Sequence, residues 1–334
     1  MVVETLAVVE RGGMVESVHA GVMAVSDASG RLTAVLGSPG LVTFARSSTK
    51  PIQAIPLVES GAVDAFGLSE ELLALCCASH NAEPRHVEGA AAILKAAGLD
   101  ESYLQCGPHP LGNEKRYEEV LRSGTTITSI YSNCSGKHSG MLAFAKHIGA
   151  DPSTYLDPNH PIQQAILRVL SDLSGVPADL IRHGTDGCGV PAFALSMGAW
   201  ARAFARFAKP DDSPRGRAMA RISEAMRRYP GMVAGEDRFD TELMEASGGK
   251  LMVKGGAEGF LMVVMPELGL SLVAKAIDGN QRALHPAVLR ALRQLGALSD
   301  AELQKVSRWA EPEIKNTRGE TVGRIVSKAT LSSC

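Results

Sequence analysis

Ser47 stands three residues ahead of Lys50 in the stretch Arg46-Ser47-Ser48-Thr49-Lys50-Pro51. At a helix start that spacing puts both side chains on one face, about one turn apart. A lysine partly desolvated there can lose its charge and accept the serine proton, which activates the hydroxyl as a nucleophile. The bland alternative is a serine N-cap beside a solvated lysine. A second serine lies in Ser79-His80-Asn81, directly after an apolar segment ending in Cys76-Cys77-Ala78. That is where a cleft wall would fall, although an ordinary helix end and loop reads the same way. No carboxylate partner is fixed for His80, so a Ser-His-Asp triad does not follow.

Two cysteines sit in equally polar surroundings. In Asn133-Cys134-Ser135-Gly136-Lys137-His138, a helix starting near Ser135 would place Cys134 at its positive end with Lys137 on the same side. Both influences favour a thiolate. Cys188 lies in the glycine-rich turn Gly184-Thr185-Asp186-Gly187-Cys188-Gly189, read as leading into a helix with Pro191 in its first turn. Two thiolates and a lysine could hold zinc, although the spacing is not that of a zinc finger; the alternative is a pair of buried free thiols. Further on, Lys254-Gly255-Gly256 reads as a lysine at a strand end followed by a turn. That pattern is like the K-T-G strand of penicillin-recognising enzymes, or else a plain hairpin with a solvated lysine.

These residues need elements to hold them. The chain has 334 residues, 45% hydrophobic and 21% charged, enough for one large or two intimate domains with a sizeable core. A net charge of -2 and the absence of long Lys/Arg runs argue against a nucleic-acid partner. The N-terminus has no basic region followed by an apolar run, and no apolar stretch is long enough to span a bilayer, so a soluble cytoplasmic protein is expected. Six cysteines in such a chain read as core thiols, reactive thiols or metal ligands rather than a disulfide framework.

Short β-branched stretches at 5–9, 17–26 and 31–37 predict strands, and 251–253, 259–265, 270–276 and 321–326 predict more near the other end. Between them helical periods cover about 84–97, 136–148, 159–174, 190–207 and 213–228, with Ser69 capping a helix that runs to Ala78; further helices fall near 282–295 and 300–308. The expected fold class is therefore α+β. A sheet is built from both chain ends (about 1–46 and 250–334), with a mostly helical part (47–249) and a cleft between.

Taken together the motifs resemble the thermolabile, Rhizobium etli-type L-asparaginases, the asparaginase II family, which is related in fold to serine β-lactamases and glutaminases. The resemblance runs from Val9-Glu10-Arg11-Gly12-Gly13 through Ser47, Lys50 and Cys77 to His80. It continues through Ser132 to His138 (S-N-C-S-G-K-H), Gly184 to Cys188 (G-T-D-G-C), Met232 to Glu236 and Lys254-Gly255. It implies hydrolysis of L-asparagine to L-aspartate and ammonia through an acyl-enzyme, with two Ser-Lys tandems, Ser47 with Lys50 and Ser79 with Lys254. It implies a zinc site at Cys134, Lys137 and Cys188, and substrate contacts from Arg46, Asn133, His138 and Asp186. A homodimer is implied as well. Ser47 is favoured as nucleophile because its lysine lies in the same turn, with Ser79 the competitor. The rival readings are a glutaminase or another β-lactamase-like amidohydrolase, and a non-catalytic protein that binds zinc or an amino acid.

Overall fold

The computed structural model describes residues 2–334. They form an α+β fold, as the sequence predicts, and the chain divides into two compact units. One comprises the chain up to Ser48, Ala194–Lys209 and Glu242–Cys334; the other comprises Thr49–Phe193 and Pro210–Thr241.

The first unit is organised on an antiparallel sheet. Its strands are β1 (Glu4–Arg11), β2 (Met14–Asp27), β3 (Leu32–Leu36), β4 (Met252–Gly256), β5 (Phe260–Met265), β6 (Leu270–Ala276), β7 (Glu313–Lys315), β8 (Thr321–Ser327) and β9 (Ser332–Ser333). They run in the order β7-β8-β1-β2-β6-β5-β4, with β3 on β2 and β9 on β3. The two chain ends pair directly, Val9 opposite Ile325, and β2 joins them to the later hairpin with Gly21 opposite Ala276. Val22, Met23, Ala24 and Val25 are all fully buried. Successive side chains point to opposite faces, so a run of this kind means that both faces of the sheet are covered. Helix Met197–Ala205 packs on β2, β5 and β6, and helix Gln281–Gln294 on β1, β6 and β8. Trp200 anchors the first of these, fully buried, with its indole N–H on the Thr43 carbonyl at 2.9 Å.

Helix Ser135–His147 is the core of the second unit, buried continuously from Ser135 to Ala145. Apart from Lys137 and His138 this stretch is apolar or small, as suits a helix enclosed on every side. Gly136 and Gly140 let Glu70–Cys76 approach closely: a methyl group on Gly136 would lie 2.5 Å from the Leu75 carbonyl oxygen, and one on Gly140 2.8 Å from Cys76 Sγ. Helices Pro84–Ala96 and Pro161–Ser174 complete the packing around it.

Three local expectations are corrected. Residues 190–207 are not one helix: Pro191–Ser196 is a strand, and the helix begins at Met197, where the Ser196 hydroxyl accepts from the Ala199 N–H. Proline at the first position of a strand loses no ladder bond, and the serine cap five residues later is the true start. Cys188 therefore precedes a strand and not the start of a helix of its own. Gly255 and Gly256 lie inside β4, and the turn falls at 257–259, with Glu258 and Gly259 in the left-handed region. Among the described residues no helix is long and apolar enough to cross a membrane.

Candidate active site

At the end of the first unit's opening segment, the part of a short 3-10 turn (Arg46–Thr49) up to Ser48 is seated on strand β4. Ser48, fully buried, donates its hydroxyl to the Lys254 carbonyl at 2.8 Å. A methyl group on Gly256 would sit 2.4 Å from the Ala45 carbonyl and 3.1 Å from Ser48 Oγ, so only glycine lets the strand come this close. Arg46 has φ 51°, a left-handed conformation that costs a residue with a Cβ about 1–2 kcal/mol. The bend leaves Arg46 and Ser47 half-buried between the buried Ala45 and Ser48. Lys254 is fully buried, and its ammonium donates to the Gly255 carbonyl at 2.7 Å.

In the second unit Lys50, 1% exposed, directs its ammonium at three acceptors. These are Ser79 Oγ at 2.9 Å, Cys134 Sγ at 3.2 Å and the Ala78 carbonyl. An ammonium has three N–H donors, so the set is complete. The Ser79 segment is held from both edges. Its N–H donates to the Val233 carbonyl at 2.9 Å, the Asn81 N–H to the Ala234 carbonyl at 3.1 Å, and the His80 N–H to the Asn133 carbonyl at 3.2 Å. His80 stacks on His86 with ring centroids 4.8 Å apart. Burial holds both imidazoles neutral, His80 well below its ordinary range and His86 at about 4.

The two cysteines meet the two lysines here. Lys137 donates to Cys188 Sγ at 2.9 Å, and Cys134 and Cys188 share a hydrogen bond. That bond holds the Cys134 thiol well below its ordinary value, against burial and with help from the Lys50 and Lys137 charges; Cys188 is pushed up correspondingly. Burial alone would pull Lys137 down, but the two facing sulfurs outweigh it and raise it. Neither cysteine is in a disulfide. Among the described residues no group of three or more His, Cys, Asp or Glu side chains could hold a metal. The Cys134, Cys188 and Lys137 side chains do converge, with Lys137 donating a proton to Cys188; a metal held by these three would require all of them deprotonated.

The structure gathers Lys50, Ser79, Cys134, Lys137 and Cys188 in one unit, and Arg46, Ser47 and Lys254 in the other. Ser79, which the resemblance pairs with Lys254, takes its hydrogen bond from Lys50. Asn133 donates its N–H to His109 Nε2, and Asp186 closes its loop by accepting from the Gly187 N–H at 2.6 Å. His138 is fully buried with Nδ1 on the Tyr155 hydroxyl at 2.6 Å, while its Nε2 has no partner among the described residues. Tyr155, Arg238 and Gly235 carry the site without being singled out by sequence. Gly235 lies within the Met232–Glu236 stretch, but nothing in that string says that it faces Asn81.

The family described as L-asparaginase II matches residues 7–327. Among solved structures, the chain is similar to a β-lactamase from Mycobacterium bovis, at 14% identity over 83% of this chain and 95% of that one, with a TM-score of 0.47. It is also similar to Mglu in its native form in 4.3 M NaCl, at 13% identity over 83% and 61%, with a TM-score of 0.43. No individual curated protein sequence matches significantly.

Proposed function

The chain belongs to the L-asparaginase II family and is thus an amidohydrolase of asparagine- or glutamine-type amides, and we propose that it hydrolyses L-asparagine to L-aspartate and ammonia through a Ser-Lys activated hydroxyl. The observation that carries this reading is the buried Lys50 ammonium on Ser79 Oγ at 2.9 Å. Once Lys50 sheds a proton, its lone pair is within reach of a serine hydroxyl and can act as base. Ser47, three residues ahead, supplies the attacking oxygen on the strength of that spacing. Its proton passes to Lys50, the oxygen bonds to the side-chain amide carbon, and backbone N–H groups of the turn at Ser47 stabilise the oxyanion. Breaking the C–N bond returns the proton, through Ser79, to the departing ammonia. Water then resolves the ester and restores the serine.

Zinc, where bound by Cys134, Cys188 and Lys137, supplies a positive anchor for one end of the substrate. Asp186, on the Cys188 loop, is the group assigned to the substrate ammonium, with Arg46, Asn133 and His138 the further substrate contacts that the resemblance implies. A cytoplasmic homodimer, expected from the sequence reading, belongs to the same proposal.

A second reading has Ser79 itself attack, favoured by the same Lys50 hydrogen bond. Ammonia release from L-asparagine by wild type, Ser47→Ala, Ser79→Ala and Lys50→Met decides between them. Loss of at least about 1,000-fold in Ser47→Ala and Lys50→Met, with trapped acyl-enzyme absent only when Ser47 is replaced, supports Ser47. Acyl-enzyme that persists in Ser47→Ala and vanishes in Ser79→Ala transfers the role to Ser79. Faster turnover of L-glutamine than of L-asparagine makes the enzyme a glutaminase, and no release from either amide by wild type overturns the enzymatic reading.

A further inference from the structure

The five residues Ser79–Glu83 face a second turn of the same unit, Gly235–Arg238, that the chemistry above does not use. Asn81 is fully buried and spends its whole amide on this contact: Nδ2 donates to the Glu236 carbonyl at 2.8 Å, and Oδ1 accepts from Arg238 Nη1 at 2.9 Å. The same guanidinium nitrogen reaches the carbonyl of Ser79 at 3.4 Å. Glu83 returns the contact by accepting the Glu236 N–H at 2.7 Å. Both turns are bent into unusual conformations, Ala82 at φ 57°, Asp237 at φ 58° and Gly235 at φ 104°. A methyl group on Gly235 would lie 2.3 Å from Glu83 Oε1 and 2.8 Å from Asn81 Nδ2. Strained residues persist where surrounding contacts over-determine them. Here the contacts fall on Asn81 and Glu83, and one of them, from Arg238, also reaches the carbonyl of Ser79 itself.

We propose that Arg238 is a positioning residue: through Asn81 and the Ser79 carbonyl it sets the orientation in which the Ser79 hydroxyl meets the Lys50 ammonium. A guanidinium is always charged and donates in a fixed plane, so it can hold two oxygens without titrating in the working range. Without it, the Asn81 oxygen is left buried and unpaired, and the Ser79 peptide can rotate away from Lys50. A displacement of about 1 Å at a proton-transfer pair can cost on the order of 100-fold in rate.

The inference rests on the reading of Ser79 as a proton partner of Lys50, and a double-mutant cycle in the full chain keeps the two separable. Arg238→Ala is expected to lower kcat for L-asparagine by about 10–100-fold with KM within about 3-fold of wild type. Guanidinium at millimolar concentration should restore kcat at least several-fold, which a merely weakened fold would not show. In the Ser79→Ala background the same substitution should cost nothing further, because there is no hydroxyl left to orient. Arg238→Gln, which keeps a donor for Asn81 and loses the charge, should fall between, and it decides the matter if Arg238→Ala fails to fold. An unchanged kcat in a folded Arg238 variant overturns the inference alone. So does an equal loss in both backgrounds without rescue. Wild-type kcat in Ser79→Ala overturns the underlying reading and the inference with it.

Discussion

Acidification from neutral pH should weaken this protein well before its carboxylates titrate, because two stacked histidines are buried uncharged. His80 and His86 are 1% and 0% exposed, and each uses Nδ1 to accept a backbone N–H, from Ala82 and Glu83 at 3.1 Å. Each therefore carries its proton on Nε2, which faces Ser135 Oγ in His80 and the Gly231 carbonyl in His86. A second proton would displace those N–H groups and put charge into a dry site. Burial accordingly takes His86 from its ordinary 6.5 to about 4, and His80 well below 6.5. Above pH 6.5 folded and unfolded chains are both neutral at these positions and nothing is lost. Between 6.5 and about 4 the unfolded chain binds protons that the folded chain refuses, so stability falls with pH. At about 1.4 kcal/mol per unit, His86 loses about 3 kcal/mol over that window, of which about 2 kcal/mol is gone by pH 5. His80, held well below its ordinary range mainly by burial, loses stability in the same direction over the same window, and even the His86 share is a large part of a typical domain's stability. Urea midpoints measured from pH 8 to 4.5 test this, with His86→Gln as the comparison, since glutamine can keep both hydrogen bonds without titrating. The variant should escape about 2 kcal/mol of the loss at pH 5. A wild type that holds its midpoint down to pH 4.5, or a variant with the same acid slope, would refute the reasoning.

Gly256→Ala should cost about 1–3 kcal/mol by urea unfolding and slow ammonia release, because its methyl group meets the Ala45 carbonyl at 2.4 Å and pushes on the turn that bears Ser47; an unperturbed variant would mean that the seating of this turn on β4 is loose. Removing metal with a chelator should raise KM for L-asparagine more than it lowers kcat, as expected of an ion that anchors substrate and does not activate water. A fall in kcat at constant KM would contradict that role.

Much of the fold could be read from local pattern. β-branched stretches near both ends marked the strands, and Ser69, whose hydroxyl accepts from the Leu72 N–H, marked a helix start by its residue type. The region at 190–207 misled for a physical reason. The apolar stretch Pro191–Ser196 runs straight into the helix Met197–Ala205, and apolar periodicity alone does not separate a buried strand from a buried helix. The two glycines of β4 misled similarly: both lie in the strand and not in a turn, and Gly256 serves close approach to Ala45 and Ser48.

By itself the sequence determined which residues can do chemistry, because a hydroxyl, a thiol or an amine keeps its reactivity type wherever it lands. It pointed to the family as well, through the S-N-C-S-G-K-H and G-T-D-G-C blocks, and the L-asparaginase II match over residues 7–327 agrees. Only tertiary structure decided partnership. Lys50 meets Ser79 across 29 positions and Cys134 across 84, and Arg238 reaches Asn81 across 157. Local spacing governs contacts within a turn or two of backbone, whereas these contacts are set by how buried helices pack, with Gly136 and Gly140 admitting Glu70–Cys76 against Ser135–His147. That packing, not the motif around Lys50, chose the serine its ammonium touches.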